Sequence, residues 1–235
     1  MMKLSKRLRL AASFVPRGSI VADIGADRGE LSYYLLKERI AEKAILTDIS
    51  PLSLNRAKHF FAGKDEAAAA DFRVGNGLSV LAPGEADVAV LAGMGGLTIV
   101  DILRHDEDTV RSLSSLVIQA MGNSDKVRSC LRSLGFTLAD EAMVEEEGQF
   151  YTIVCAVPGA ADWDEIELFA GPILLKKKDE TLGHWLDWEK SKAETLLKRL
   201  SERHEGERRR LALKEKLSMI EAAKERLLIV EKKKG

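Results

Sequence analysis

The stretch with the clearest chemical content lies near the amino terminus. An apolar run, Ile20-Val21-Ala22, meets an acid at Asp23 and passes through Ile24 into a glycine-punctuated turn, Gly25-Ala26-Asp27-Arg28-Gly29, followed by Glu30 and Leu31. Glycines at 25 and 29 let backbone approach a ligand closely. Asp23 can hold the turn or accept a hydrogen bond from an ammonium group. A dinucleotide site wants Gly-x-Gly-x-x-Gly opening a helix whose N–H groups bind pyrophosphate. Here the spacing differs, and Asp27 and Glu30 crowd the helix start, where carboxylates repel a diphosphate and suit a cation. The stretch therefore favours a sulfonium nucleoside, S-adenosylmethionine, with Asp23 and Gly25 in its binding frame. A structural turn with no ligand is the plainer alternative.

Asp48 supports the nucleoside. It ends the second apolar run, 23 positions after Gly25, where an acid can accept from both hydroxyls of a ribose. Helix capping is the competing role, but Ser50 ahead of Pro51 already fills it. Ile49, beside that acid, is counted with the cofactor residues. Gly75-Asn76-Gly77-Leu78 falls at the end of the third run. The Asn76 amide can donate to and accept from a purine edge, with Gly77 beside it; a plain turn explains the pair as well. Ala92-Gly93-Met94-Gly95-Gly96 follows the fourth run, where Met94 can pack on a cofactor and the glycines admit a substrate. A tight strand-to-helix turn is the alternative there.

Several chemistries lack their residues. The Asp/Asn-Pro-Pro-aromatic loop common in enzymes that methylate exocyclic amino groups does not occur. Neither does a Gly-x-Ser-x-Gly elbow or a phosphate-binding P-loop. His59, His105, His184 and His204 are scattered without ligand spacing, so no metal is expected. Cys130 and Cys155 are too few for a disulfide framework and read as core positions.

These residues need a scaffold that gathers strand ends on one edge. Residues 3–14 read as a short helix. Apolar runs at Ile20 to Ile24, Ala44 to Thr47, Asp71 to Val74, Val88 to Leu91 and Leu116 to Gln119 read as strands. Helices are expected over Leu31 to Arg39, Leu52 to Ala62, Leu97 to Leu103 and Lys126 to Leu134, the last closed by Gly135. Strands near Thr137 to Val144 and Phe150 to Val157 flank a turn at Glu147-Gly148. Alternating strands and helices followed by a hairpin predict an α/β fold, a doubly wound Rossmann-like sheet with its ligand at the carboxyl ends of the strands. Residues 1–160 are assigned to this domain and residues 161–235 to a basic helical one.

In that second part, Phe169-Ala170-Gly171-Pro172 reads as a connector. Apolar residues then recur at Leu182, Leu186, Ala193, Leu196 and Leu200, and again at Leu213, Leu217, Ile220 and Leu227 beyond Gly206. Two stripes broken by a glycine predict an antiparallel helical hairpin or coiled coil. Trp185 and Trp188, three apart, are expected to anchor it.

Composition sets the class. The 235 residues carry 46% hydrophobic and 31% charged residues with a net charge of −1. Residues 1–171 hold 18 Lys/Arg against 25 Asp/Glu, and residues 172–235 hold 18 against 12. A basic module on an acidic domain suits a polyanionic partner, although a solvated charged helix pair explains it too. Arg199, Arg203, Arg208, Arg209 and Arg210 gather near the presumed bend and are candidate phosphate contacts. No run approaches the ~20 apolar residues of a membrane span, and the basic start lacks an export signal's apolar centre, so a cytoplasmic protein without membrane contact is expected.

The order of motifs resembles a bacterial family, the tRNA (adenine-22, N1)-methyltransferases known as TrmK. The likeness runs from Leu4-Ser5-Lys6-Arg7-Leu8 through Ala22-Asp23-Ile24-Gly25-Ala26-Asp27 and Gly75-Asn76-Gly77-Leu78. It continues through Ala92-Gly93-Met94-Gly95-Gly96, Gly148-Gln149-Phe150-Tyr151 and Gly171-Pro172. The resemblance implies a class I methyltransferase that moves a methyl group from S-adenosylmethionine to a ring nitrogen of adenine in tRNA. It makes Asp27 the candidate catalytic carboxylate and sets Arg28 and Arg7 to steer the target phosphate. The chain departs from the family in its first loop, Asp27-Arg28-Gly29-Glu30-Leu31-Ser32, where relatives read Asp-His-Ala-Tyr-Leu-Pro. It also departs at Asn76, usually an acid, and at Gln119-Ala120-Met121, usually Gln-Pro-Asn, with Asn123 displaced by two. Two rival readings stand beside this one: a methyltransferase for another RNA or a small molecule, and a cofactor-binding interaction protein without catalysis. A monomer is the expected state.

Overall fold

The computed structural model describes residues 4–202 and 206–229, and the chain divides into two compact units, Met1–Asp162 and Trp163–Gly235. In the first unit the chain runs α1 (Lys6–Ser13), β1 (Ser19–Ile24), α2 (Glu30–Lys37), β2 (Ala41–Asp48), α3 (Pro51–Phe61), β3 (Ala70–Val74) and β4 (Val88–Met94). It continues through α4 (Gly96–His105), α5 (Glu107–Ser112), β5 (Ser115–Ala120), α6 (Ser124–Ser133), β6 (Phe136–Glu146) and β7 (Gln149–Pro158).

The strands form one seven-stranded sheet in the order β3-β2-β1-β4-β5-β7-β6, parallel through β5 and closed by antiparallel β7 and β6. The doubly wound α/β expectation is met. The order of connection reverses between β1 and β4, which opens a crevice at their carboxyl ends. Strands β1, β4 and β5 are apolar on both faces because helices cover both, and Val21, Ala22, Ala89, Val90, Leu116 and Val117 are fully buried.

Three elements differ from the sequence reading. Strand β4 runs on past Leu91 to Met94, bulging between Ala92 and Met94 where Gly93 takes φ +79°. The segment 107–112, unassigned from sequence, forms α5, with Glu107 and Asp108 in its first turn. The expected connector 169–172 is the join of two short helices, α7 (Glu165–Ala170) and α8 (Pro172–Lys177). Asp164 and Glu167 make a reciprocal capping box on α7, and Gly171 turns the chain at φ +101° before Pro172 opens α8.

The second unit continues with α9 (Glu180–Glu202) and α10 (Glu207–Ile229), the predicted antiparallel hairpin. Its apolar seam is buried at Leu182, Leu186, Ala193, Ile220 and Ala223, whereas Leu196 is exposed. Ion pairs cross the seam from Glu189 to Lys216, from Asp187 to Lys224 and from Lys190 to Glu221, the last at 2.5 Å. Trp185 packs against Phe169 with ring centroids 5.3 Å apart and the planes tilted by 42°, and the Lys192 ammonium lies 3.6 Å from the centre of the Trp188 ring. No helix among the described residues is long and apolar enough to cross a membrane.

A buried ion pair lies inside the first unit. Arg128 of α6 donates to Glu141 of β6 at 2.7 Å, and both side chains are shut off from solvent. Removing the cation deprives a fully buried carboxylate of this partner. Arg128→Ala is expected to cost about 3–5 kcal/mol of stability in urea unfolding; a loss below 1 kcal/mol would show that water reaches Glu141.

Candidate functional site

The site is built where β1 ends. The N–H groups of Gly25 and Ala26 donate to the Thr47 carbonyl at 2.8 and 2.9 Å, and the Asp27 N–H donates to Asp48 Oδ2 at 3.1 Å. Three successive donors therefore fasten the turn to the end of β2. The turn needs left-handed backbone, with φ of +74° at Gly25, +47° at Asp27 and +71° at Gly29. Gly29 is also pressed against the core: a Cβ there would stand 2.8 Å from Leu46 Cδ2 and 3.0 Å from Phe61 Cε2. Glycine suits the position, because a side chain there would be strained at this φ and would press on Leu46 and Phe61.

A cleft of about 280 Å³ opens at this edge. Asp23, Gly25 and Ala26 line it from the first turn, Ala92 and Gly93 from β4, and Arg7 from α1, with Asp27, Arg28 and Glu30 also on its walls. Seven of the sequence-predicted residues (Arg7, Asp23, Gly25, Asp27, Arg28, Ala92 and Gly93) thus come together.

Asp23 is buried and accepts from the Ser32 hydroxyl at 2.6 Å. Burial pushes its carboxyl up to about 6; the Ser32 hydrogen bonds work against the rise, and the nearby Asp48 charge adds to it. Asp48 accepts from Asp27 N with one oxygen and from Ser50 N, at 2.8 Å, with the other. Ser50 itself caps α3 through Ser53 N, as expected. Each Asp48 oxygen keeps a lone pair for a further donor.

The remaining candidates fall in different places. Ile49 is 71% exposed beside Asp48. Met94 packs against the turn, and a Cβ on Gly25 would lie 3.3 Å from its Cε. Gly77 is structural: φ is +58°, a Cβ would stand 2.8 Å from Ile102, and its carbonyl accepts from the Thr47 hydroxyl at 3.3 Å. Asn76 is not brought into the cleft. It lines a separate hollow of about 330 Å³ with Thr98, Asp101, Ile102, His105 and Asp106. Asp27 is not a free carboxylate, since Arg56 of α3 pairs with it at 2.8 Å, and Arg28 pairs with Glu30 at 3.0 Å. Arg199, Arg208, Arg209 and Arg210 are exposed on α9 and α10 of the second unit, and Arg203 lies outside the described residues. Cys130 and Cys155 are buried, and burial pushes both thiols up, consistent with core positions.

Sequence reasoning missed an apolar rim. In the first unit the exposed large hydrophobic side chains are Ile49, Leu52, Val74, Leu97 and Met121. All follow or close strands β2, β3, β4 or β5, on the edge that bears the cleft. A paired acid for hydroxyls, a buried acid for an ammonium group, bare glycine backbone and an apolar rim form the donor and acceptor set of a nucleoside joined to an amino acid. The residues present therefore fit S-adenosylmethionine. The rim could have been found by marking apolar residues just beyond each predicted strand.

Comparisons with known proteins agree with this geometry. A family model described as a methyltransferase domain matches residues 4–154. The tRNA (adenine(22)-N(1))-methyltransferase of Bacillus subtilis (strain 168) is 32% identical over 231 residues, 95% of this chain and 97% of that protein. The crystal structure of the B. subtilis M1A22 tRNA methyltransferase TrmK superposes with a TM-score of 0.84 at 29% identity, covering 97% of this chain and 100% of that one. A Streptococcus pneumoniae relative, solved in complex with S-adenosyl-L-methionine, gives a TM-score of 0.85 at 26% identity, covering 94% and 99%.

Two outcomes follow from the turn. Gly29→Ala forces a side chain into left-handed backbone and into Leu46 and Phe61, so about 2–4 kcal/mol should be lost in chemical denaturation. Asp23, with its folded value raised, contributes stability that is full below about pH 4 and lost as pH rises through about 6. Asp23→Asn should therefore gain on the unliganded parent as pH climbs, by about 2–3 kcal/mol at pH 8 relative to pH 4. Parallel melting curves for the two proteins across that range would contradict the burial argument.

Proposed function

The chain belongs to the methyltransferase-domain family and, within it, to the tRNA (adenine(22)-N(1))-methyltransferases, and from that premise we propose that it methylates the N1 nitrogen of adenine 22 in tRNA. S-adenosyl-L-methionine supplies the methyl group. The observation that carries this reading is the cleft at the ends of β1 and β4, lined by Asp23 and by a glycine turn that is clamped to β2 at Thr47 and Asp48.

In this reading Asp23 accepts from the ammonium group and Asp48 from the ribose hydroxyls. Ile49 and the rim cover the purine; Asn76, in its separate hollow, and Gly77, packed on Ile102, take no part in that contact. Ala92, Gly93 and Met94 leave the β4 side open for the target base. Methylation at N1 places positive charge on the adenine ring, and a carboxylate beside it stabilises that charge as it develops. Asp27 is assigned that task, and its Arg56 contact sets its direction rather than consuming it, because only one carboxylate oxygen is bonded to the guanidinium. Residues 1–160 would carry the transfer. Residues 161–235 would hold the tRNA through Arg199, Arg203, Arg208, Arg209 and Arg210, with Arg28 nearer the reacting base. Such an enzyme acts where tRNA matures, in the cytoplasm.

Incubating the protein with labelled cofactor and bulk tRNA, then mapping the labelled base by mass spectrometry, tests the assignment. Label at N1 of adenine 22 is expected. Label at another base would move the specificity, and cofactor binding without any transfer would leave a non-catalytic binding protein. Asp27→Asn keeps a residue that tolerates left-handed backbone. It should lower turnover about 100-fold while calorimetry finds cofactor affinity retained. An equal fall in both would make Asp27 a cofactor ligand.

A further inference from the structure

Arg7 is held where the sequence reading had no reason to put it. It sits in the first turns of α1, whose start is tied to the end of β6: Glu146 accepts from the backbone N–H of Lys6 at 2.7 Å and of Arg7 at 3.4 Å. Its guanidinium carbon lies 5.6 Å from the centre of the Tyr151 ring on β7. Its Nη1 donates to Gln119 Oε1 at 2.9 Å, and the same oxygen accepts from the Gly93 N–H at 3.1 Å. Gln119 is fully buried at the end of β5, and its Nε2 donates to the Ala120 carbonyl at 3.0 Å. That contact fixes the amide's direction, because reversal would set oxygen against a carbonyl and nitrogen against two donors.

The guanidinium is a permanent cation with five N–H donors. One is spent on Gln119, and no carboxylate among the described residues pairs with it. It is half-buried and lines the cleft that contains Asp23, Gly25 and Gly93. A cation held in a cleft with most of its donors unspent calls for an anion, and a planar fork matches a carboxylate. Arg28, the other guanidinium on the cleft walls, is paired with Glu30, so the cleft offers one buried acid, Asp23, and one guanidinium without a carboxylate partner among the described residues, complementary to the ammonium and carboxylate of an amino acid.

We propose that Arg7 binds the α-carboxylate at the amino-acid end of the cofactor, and that Gln119 is the positioning residue that holds Arg7 there. The assignment rests on the proposed function and deepens it. It moves Arg7 from a tRNA phosphate to the cofactor. It also gives the Gln-Ala-Met segment after β5 a task that needs only its first residue, which is the residue this chain shares with the Gln-Pro-Asn pattern.

Calorimetry with two ligands tests it without any methyl transfer. S-adenosylhomocysteine carries the carboxylate; 5′-methylthioadenosine keeps the nucleoside and lacks the amino-acid end. Arg7→Ala and Gln119→Met should each weaken S-adenosylhomocysteine about 10- to 100-fold and leave methylthioadenosine unchanged. The double variant should be no worse than Arg7→Ala alone, since both remove one interaction. Arg7→Lys should recover part of the loss, which keeps the test open if Gln119→Met melts early. Equal weakening of both ligands by Arg7→Ala would mean a general collapse of the cleft and overturn the assignment. Unchanged S-adenosylhomocysteine affinity, with weaker tRNA binding and a salt slope shallower by about one, would return Arg7 to a phosphate and also overturn it. Wild-type protein that binds neither ligand would instead sink the proposed function itself.

Discussion

The site depends on the fastening of the first turn to the end of β2. Three consecutive N–H groups, from Gly25, Ala26 and Asp27, reach across to Thr47 and Asp48. These bonds fix the turn against the end of β2, at the mouth of a cleft that it lines together with charged side chains. The clamp also explains the glycines. Backbone that turns this sharply must enter left-handed space, and Gly29 must let α2 begin directly over Leu46 and Phe61.

A second close approach shapes the opposite wall. The loops after β4 and β5 are docked on one another: Met121 N–H donates to the Met94 carbonyl at 2.8 Å, and a Cβ at Gly96 would lie 2.4 Å from the Gly122 carbonyl oxygen. Gln119 ties the same two strands from below through Gly93. The Ala-Gly-Met-Gly-Gly run is therefore two things at once. Gly93 bares backbone to the cleft, whereas Gly96 admits a neighbouring loop. Exposed Leu97 and Met121 emerge on either side of that contact and extend the apolar rim.

The helical unit is stabilised by different means. Its seam is deep beside the short helices α7 and α8 and thins towards the bend, where Leu196 and Leu211 are exposed. Ion pairs between α9 and α10 supplement the apolar contact and set the register of an antiparallel pair. Exposed pairs of this kind contribute little stability each, about 0–1 kcal/mol, so their main consequence is specificity. Glu189 differs, being buried and met by both Lys192 and Lys216.

Sequence alone determined the class of fold, because parallel strands buried on both faces read as apolar runs and the helices between them carry their own caps and periodicity. It placed the two candidate acids as well. Asp23 is next to last in β1 and Asp48 ends β2, and strand ends converge on one edge whenever crossovers keep one hand. Short helices such as α5, α7 and α8 were not legible, since six residues hold too little periodicity, and the capping box at Asp164 was the available clue. What only the tertiary structure decided were relations between residues distant in the chain. Arg56 meets Asp27, Gln119 meets Arg7 and Gly93, Glu146 meets the start of α1, and Asn76 falls outside the cleft. No local pattern encodes those distances, because they are set by strand order and by how closely two backbones can pack. The Asp-Ile-Gly turn marks a candidate cofactor site by itself; which side chains line that site is settled by the sheet that brings β1, β4 and β5 together.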